Sequence, residues 1–195
     1  MSNAPSAHAA AGDPASAVKV IAVTGTSGKT TTTWLAAAVL AEAGRRVGVL
    51  SDLGCLDADA ALPESAAYGG PAELAAWLGR FAVSGCTHAV VEVSSRMLAS
   101  RSLAAASAAI VAVPNIATVR RDAHGTWQGS RALPGRLLES LDAAGCLVTG
   151  TPSAPLDRLR RRAVRECPGI ELLAAGLASG CDVTAVPVER GLFGQ

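Results

Sequence analysis

The stretch VTGTSGKTTTTW, residues 23–34, carries the strongest fold signal in the chain. It follows an apolar, β-branched run, VKVIAV at 18–23, which predicts a strand buried on both faces and ended by Gly25. It leads into residues 30–43, which predict a helix with Gly44 in the C′ position. A junction between a parallel strand and the next helix lies at the carboxyl edge of the sheet, where ligands bind. We therefore expect a ligand site in this loop.

The composition of the loop is typical of phosphate binding. Gly25 and Gly28 let the backbone bring its N–H groups close to an anion, and the helix N-terminus adds the positive end of its dipole. Lys29 would reach the β- and γ-phosphates, and Thr30 would offer a hydroxyl to Mg²⁺. Val23 stands where a strict GxxxxGK[ST] motif has glycine, so a plain strand–helix turn is the alternative. The predicted nucleotide site comprises Gly25, Thr26, Ser27, Gly28, Lys29, Thr30 and Thr31.

Strand-like and helix-like segments alternate through the rest of the chain. Further strands are predicted at 46–50, 88–93, 108–113, 146–150, 170–175 and 182–188, the last at a sheet edge because of Pro187. Helices are predicted at 71–84, near 129–144 and at 155–166. This order predicts an α/β fold with a mostly parallel sheet and helices on both faces, similar to P-loop NTPases. The Ala/Ser/Pro-rich residues 1–17 predict a disordered leader before a single domain at 18–195.

Composition excludes several classes of function. The formal net charge of +1 gives no signal for nucleic acid or a membrane surface, and the arginines at 158–165 are typical of a solvated helix face. The 5 cysteines have no CxxC spacing, which argues against a zinc site and for a reducing compartment. No apolar run is long enough to span a bilayer, and the N-terminus lacks the pattern of a signal peptide. We expect a cytoplasmic protein.

Three segments, in order, resemble the Mur ligase family. The opening stretch is similar to the family's ATP loop, where TGTNGKTTT is typical. The segment GCTHAVVEVSSRMLAS, 85–100, resembles the family's segment with EVSSHAL, and VPNIATVRRDAHGTW, 113–127, resembles TN(I/L)xRDHLDYHGT. The stretch GRRVGVLSDLGC, 44–55, is similar to the second strand and its loop. The resemblance runs from about Lys19 to the C-terminus and is strongest to the MurE type, UDP-N-acetylmuramoyl-tripeptide synthetase.

The resemblance implies a reaction and a set of residues. Mur ligases use ATP to phosphorylate a carboxylate, and an amino acid's amine then displaces the phosphate. Lys29 and Glu92 are implied as catalytic residues, with Thr30 and Glu92 as ligands of Mg²⁺. Asn115 is implied to lie near the nucleotide. The implied partners are ATP, a UDP-N-acetylmuramoyl peptide and an amino acid.

Ser94 and His124 complete the implied site as substrate contacts. Each implied residue outside the loop has a purely structural alternative. Glu92 is otherwise a strand-end surface residue, Ser94 a helix N-cap, and Asn115 a turn residue after Pro114. A lone histidine such as His124 more often caps or packs than binds a ligand.

Other positions depart from the family pattern. With the His-Gly-Thr at 124–126 aligned, the family's Asp-His pair falls on Val119 and Arg120, and an arginine cation does not bind metal. Sliding the alignment puts Ala123 where the histidine belongs. The lysine that family members carbamylate to bridge metal matches Pro134.

The domains of the family lead to two main hypotheses. Family ligases carry an N-terminal domain for the uridine nucleotide and a C-terminal domain that closes over ATP, and we expect both to be absent here. The chain is either an ATP-dependent ligase of the MurE type or a nucleotide-binding pseudoenzyme that works with a protein partner supplying the missing domains. An unrelated P-loop ATPase is a third alternative, against which the EVSS and HGT segments argue.

Overall fold

Most strands of the described residues alternate with helices, as the sequence predicts. The computed structural model describes residues 17–58, 60–62, 68–116 and 133–185. The strands there are β1 Lys19–Val23, β2 Val47–Ser51, β3 Gly54–Asp57, β4 Ala60–Leu62, β5 His88–Glu92, β6 Ala108–Val113, β7 Leu141–Thr149, β8 Glu171–Gly176 and β9 Val183–Thr184. The helices are α1 Lys29–Glu42, α2 Pro71–Val83, α3 Ser95–Ala99, α4 Leu133–Glu139 and α5 Ala154–Glu166, with a 3₁₀ turn at Ser102–Ala105.

The strands form one sheet in the order β4-β3-β2-β5-β1-β6-β7-β8-β9. From β2 to β9 every neighbouring pair in this order is parallel, whereas β3 and β4 pair antiparallel at one edge. The predicted mostly parallel α/β fold is confirmed. The strand order reverses at β1, which lies between β5 and β6, and such a reversal opens a crevice at the carboxyl ends of the strands.

The two faces of the sheet bury alternate residues of β1. Val20 and Ala22 lie on the face that packs against α2, α3, α4 and α5. Ile21 and Val23 lie on the other face, where Ala37 of α1 packs against them. This alternation is the period of two that a strand imposes. Because only residues 24–28 separate β1 from α1, the N-terminus of α1 stays close to the carboxyl end of β1.

An antiparallel hairpin, β3 and β4, was not predicted from the sequence. It extends the sheet beyond β2, with Leu50 opposite Cys55 and Cys55 opposite Leu62. The strands have only 4 and 3 residues. They contain no β-branched residue, which leaves the sequence without a strand signal. The 3₁₀ turn after β5 was also not predicted, and helix α3 was anticipated only in the alternative that Ser94 is a helix N-cap.

The helix predicted near 129–144 is wrong in its last part. Helix α4 ends at Glu139, and β7 begins at Leu141 and pairs with β6. The residues Leu141 to Ala144 suit a helix by propensity, but pairing with β6 outweighs that weak preference. The strand predicted at 146–150 is therefore longer at its N-terminal end.

Some predictions fall on residues that are not described. Residues 1–16 of the predicted leader, His124 and Pro187 lie outside the described ranges. Strand β9 does lie at the sheet edge, as predicted. Among the described helices, none combines the length and apolar character that a membrane crossing requires.

Candidate functional site

The loop between β1 and α1 takes the tight course that its glycines predict. Gly25 has φ +148° and Gly28 has φ +78°, both values that other residues rarely adopt. A Cβ atom at Gly25 would lie 2.9 Å from the carbonyl oxygen of Asn115. The loop therefore runs against the segment after β6, and glycine is needed at residue 25 for both space and conformation.

The N-terminus of α1 opens into this loop. Gly28 is its N-cap, and in the described part of the chain no side chain caps the helix there. The first intrahelical bond of the cap runs from Thr32 N to Gly28 O, at 2.9 Å. The main-chain N–H groups of residues 28–31, in the first turn of the helix, are thus left for a ligand. An anion is the ligand that a helix N-terminus favours. Lys29 and Thr31 lie in this turn, Lys29 partly exposed and Thr31 exposed.

Thr30 and Glu92 meet at the carboxyl edge of the sheet. Glu92 is the last residue of β5, opposite Val23 at the end of β1. The hydroxyl of Thr30 donates to Glu92 Oε1 at 2.8 Å, across 62 residues of sequence. The structure therefore brings together the two residues singled out as metal ligands from the sequence.

Glu92 is buried rather than a strand-end surface residue. It is only 1% exposed, and its carboxylate accepts hydrogen bonds from Thr30, from Ser51 Oγ at 3.0 Å and from Asp52 N at 3.2 Å. Within the described residues, no arginine or lysine forms a salt bridge with it. A buried carboxylate balanced by neutral donors is an environment that suits an added cation.

Asn115 holds the loop between β1 and α1 by its side-chain amide. Its Oδ1 accepts from Ser27 N at 3.1 Å and from Ser27 Oγ at 3.3 Å, and its Nδ2 donates to Ser27 O at 2.9 Å. Its main-chain carbonyl accepts from Thr26 N at 3.2 Å. Asn115 therefore shapes the loop, a role that the sequence did not specify.

Ser94 has the structural role that was its alternative, a helix N-cap. It is the N-cap of α3, and its Oγ accepts from Met97 N at 3.3 Å. It follows Glu92 by two residues, so it stays near the candidate site, with one acceptor position of its hydroxyl used in capping α3. His124, the other implied substrate contact, lies outside the described residues.

Three polar residues beside Glu92 were missed from the sequence: Ser51, Asp52 and Tyr68. Ser51 ends β2 and Asp52 follows it, so both arrive at the same sheet edge as Glu92. Tyr68 donates to Asp52 Oδ1 at 3.0 Å. Burial, reinforced by this hydrogen bond and the negative charge of Asp52, raises the pKa of Tyr68 far above its usual value. For Ser51 and Asp52, the position directly after the strand predicted at 46–50 was the signal available in the sequence.

The donor set fits a hard cation bound together with phosphate. The described residues contain no group of three or more His, Cys, Asp or Glu side chains placed to hold a metal alone. Thr30 and Glu92 instead offer two oxygens beside an uncapped helix N-terminus. Mg²⁺ is commonly bound by one or two protein oxygens together with phosphate and water, so these residues fit Mg²⁺ with a nucleotide.

Comparisons of this chain with protein families and with known proteins all point to the same family. The profile of the Mur ligase middle domain matches residues 23–171. A UDP-N-acetylmuramyl-tripeptide synthetase from Roseiflexus sp. (strain RS-1) is 32% identical over 142 residues, which are 71% of this chain and 28% of that protein. A UDP-N-acetylmuramoyl-L-alanyl-D-glutamate--2,6-diaminopimelate ligase from Corynebacterium glutamicum is 36% identical over 115 residues, 59% of this chain and 22% of that protein.

A solved structure agrees with these relatives. The structure of a UDP-N-acetylmuramoyl-L-alanyl-D-glutamate--2,6-diaminopimelate ligase superposes with a TM-score of 0.78 at 25% identity, covering 91% of this chain and 36% of that chain. This chain therefore spans between 22% and 36% of the length of these three proteins.

Proposed function

The chain belongs to the Mur ligase family through its middle domain, and from that premise we propose that the crevice at the carboxyl edge of its sheet binds ATP with Mg²⁺. The observation that carries the proposal is the bond of Thr30 to the buried Glu92 beside the uncapped N-terminus of α1. Those elements supply an anion site and a cation site side by side at the carboxyl edge of the sheet.

Each residue has a role that follows from its chemistry. The main-chain N–H groups of residues 28–31 would donate to the phosphate oxygens, and Lys29 would place its charge against the terminal phosphates. The hydroxyl of Thr30 donates a hydrogen bond to Glu92, and its oxygen keeps lone pairs for a cation. Bound Mg²⁺ would neutralise negative charge on the phosphoryl group that is transferred. Asn115 would keep the loop in shape before any ligand arrives.

For the whole protein we propose the reaction class of the family. ATP would phosphorylate a carboxylate of a UDP-N-acetylmuramoyl peptide, and the amine of an amino acid would then form the amide, in the synthesis of peptidoglycan precursors. The names of the relatives from Roseiflexus and Corynebacterium, which describe such ligases, support this proposal. The uridine-nucleotide and amino-acid sites would come from further domains or from a partner protein.

A nucleotide-binding pseudoenzyme is the second candidate. Arg120 and Pro134 stand where the resemblance implies two further groups for metal. Spreading the charge of two anions over fewer cations raises the barrier to acyl phosphate formation. We therefore expect the 195-residue chain to bind ATP and to form no amide by itself.

Titration calorimetry with ATP, with and without Mg²⁺, tests the binding site. Glu92→Gln keeps the shape of the side chain and removes its charge, so we expect it to abolish the gain in ATP affinity that Mg²⁺ gives. Glu171→Gln, at the exposed start of β8, is the matched control and should leave that gain unchanged. Equal Mg²⁺ dependence in the Glu92 variant and the unaltered protein would contradict the site.

Mass spectrometry separates the two candidates. The chain is incubated with ATP, a UDP-N-acetylmuramoyl dipeptide and a mixture of amino acids, and phosphate and amide product are both followed. Substrate-dependent amide would exclude the pseudoenzyme. ATP binding without amide, even after the other domains of a Mur ligase are added, would favour it.

A further inference from the structure

We propose that Ser51 is a positioning residue for Glu92, which fixes one carboxylate oxygen and leaves the other for the cation. This inference rests on the proposed function, because it concerns the same carboxylate. Ser51 is the last residue of β2 and is only 3% exposed, and its Oγ lies 3.0 Å from Glu92 Oε2. It is not among the residues that the family resemblance implied.

The partners of Ser51 determine where its proton points. Its Oγ lies 3.1 Å from Trp34 Nε1 and 3.2 Å from Leu53 N. An indole N–H and a main-chain N–H are donors only, so both lone pairs of the serine oxygen are used in accepting. The one hydroxyl proton of Ser51 is therefore left for Glu92 Oε2.

The two oxygens of Glu92 are consequently unequal. Oε2 accepts from Ser51 and from Asp52 N, which fills its two lone-pair positions. Oε1 accepts from Thr30, which leaves one lone-pair position. Oε2 is thus the oxygen fixed to the end of β2, and Oε1 is the oxygen that can bind a cation next to the hydroxyl of Thr30.

Helix α1 contacts this carboxylate at two points. Thr30 bonds to Oε1 directly, and Trp34 reaches Oε2 through Ser51. Residues four apart lie on the same face of a helix, one turn from each other. The helix whose N-terminus forms the anion site therefore also orients the carboxylate, so that the anion and cation sites keep a fixed relation.

The test measures how strongly Mg²⁺ increases ATP affinity. Ser51→Ala removes the shorter of the two hydrogen bonds to Oε2 and loosens the carboxylate, so we expect the Mg²⁺-dependent gain to fall roughly 10-fold or more, as for loss of a hydrogen bond to a charged group. ATP affinity in the presence of a chelator should stay unchanged, because no phosphate contact is altered. Ser51→Thr keeps the hydroxyl and should restore most of the gain.

A second readout needs no ligand. Loss of the Ser51 hydroxyl removes the partner of the Trp34 indole, so the tryptophan emission of the free protein should change in Ser51→Ala. Ser140→Ala is the matched control, because Ser140 is also buried, at 5% exposure, and bonds to Leu137 O at the amino edge of the sheet. That variant should leave both the Mg²⁺ dependence and the emission unchanged.

The outcomes separate the inference from the proposed function. An unaltered protein whose ATP affinity does not respond to Mg²⁺ would overturn the proposed function itself. An unaltered protein that responds, with a Ser51→Ala variant that responds equally, would overturn only the role of Ser51. An equal loss in Ser51→Ala and Ser140→Ala would also overturn that role, because it would reflect general destabilisation.

Discussion

The side-chain amide of Asn115 bonds to both the N–H and the C=O of Ser27, 88 residues away in sequence. When both the N–H and the C=O of a residue are hydrogen-bonded to one partner, the position and the direction of the main chain are both constrained. Neighbouring strands in a β-sheet constrain each other in the same way. The loop between β1 and α1 is therefore shaped by the segment that follows β6, and not by its glycines alone.

Asn115→Ala removes this constraint. We expect the free energy of unfolding to fall by about 1–2 kcal/mol and ATP affinity to fall about tenfold, because the loop must then be ordered by the ligand. Urea denaturation and calorimetry measure the two effects. Asn115→Asp keeps the acceptor for Ser27 N but sets a carboxylate oxygen against Ser27 O and adds negative charge beside the loop, so its ATP affinity should be no higher than that of Asn115→Ala; a higher affinity would contradict the argument.

Lys29→Ala should weaken ATP binding about 10- to 100-fold, because it deletes a charge-assisted contact to phosphate. The chain offers a matched control in Lys19, its one other lysine, which is exposed at the amino end of β1. Lys19→Ala removes the same charge at the opposite edge of the sheet and should leave affinity unchanged in a calorimetric titration. Equal effects of the two substitutions would mean that only net charge matters.

Gly25→Ala should destabilise the fold by about 1–3 kcal/mol, because the residue has a positive φ and the new Cβ meets the carbonyl of Asn115. Gly79→Ala is the reference, since Gly79 lies in α2 with open space around it. Alanine there should stabilise by up to about 1 kcal/mol. Thermal or urea unfolding of both variants checks the opposite signs, and a neutral Gly25→Ala would refute the close approach.

His88 makes stability depend on pH. Burial, reinforced by the positive charges of Lys19 and Arg45, lowers the pKa of His88 below its ordinary value of 6.5. The unfolded chain then binds this proton more readily than the folded one, so stability present above pH 6.5 is lost as pH falls through the folded pKa. Urea unfolding from about pH 7.5 to 5 should show this loss, and His88→Gln should reduce it. An identical pH profile in the variant would exclude His88 as its source.

The sequence predicts the centre of this fold well because the central strands carry their own signal. The β-branched run ending at Val23 is buried on both faces. Gly25 and Gly28, which follow it, show where the strand ends and the loop begins. Helix α1 begins within one residue of the predicted start. At the sheet edge the hairpin β3–β4 lacks such residues, and its existence depends on pairing with β2, which no local pattern encodes.

The candidate site was predictable only in part, for the same reason. Lys29 and Thr30 belong to one local motif, and Glu92 was reached through the family resemblance. Ser51 lies 41 residues from Glu92, and a serine at a strand end is typical of any turn. The contact arises from the order in which β2 and β5 lie side by side. A sequence pattern does not specify that order.

The placement of β1 between β5 and β6 has a consequence for the order of events during synthesis. The loop leaves the ribosome early, near residue 25, but the carbonyl that Gly25 packs against and the amide that holds Ser27 both belong to Asn115. A nascent chain that ends before Asn115 contains the loop sequence but lacks the contacts that fix its conformation. Contacts that span 62 and 88 residues form late and slowly, since long loops must close first. Nucleotide affinity in ribosome-bound chains of increasing length would therefore report when the central strands have assembled.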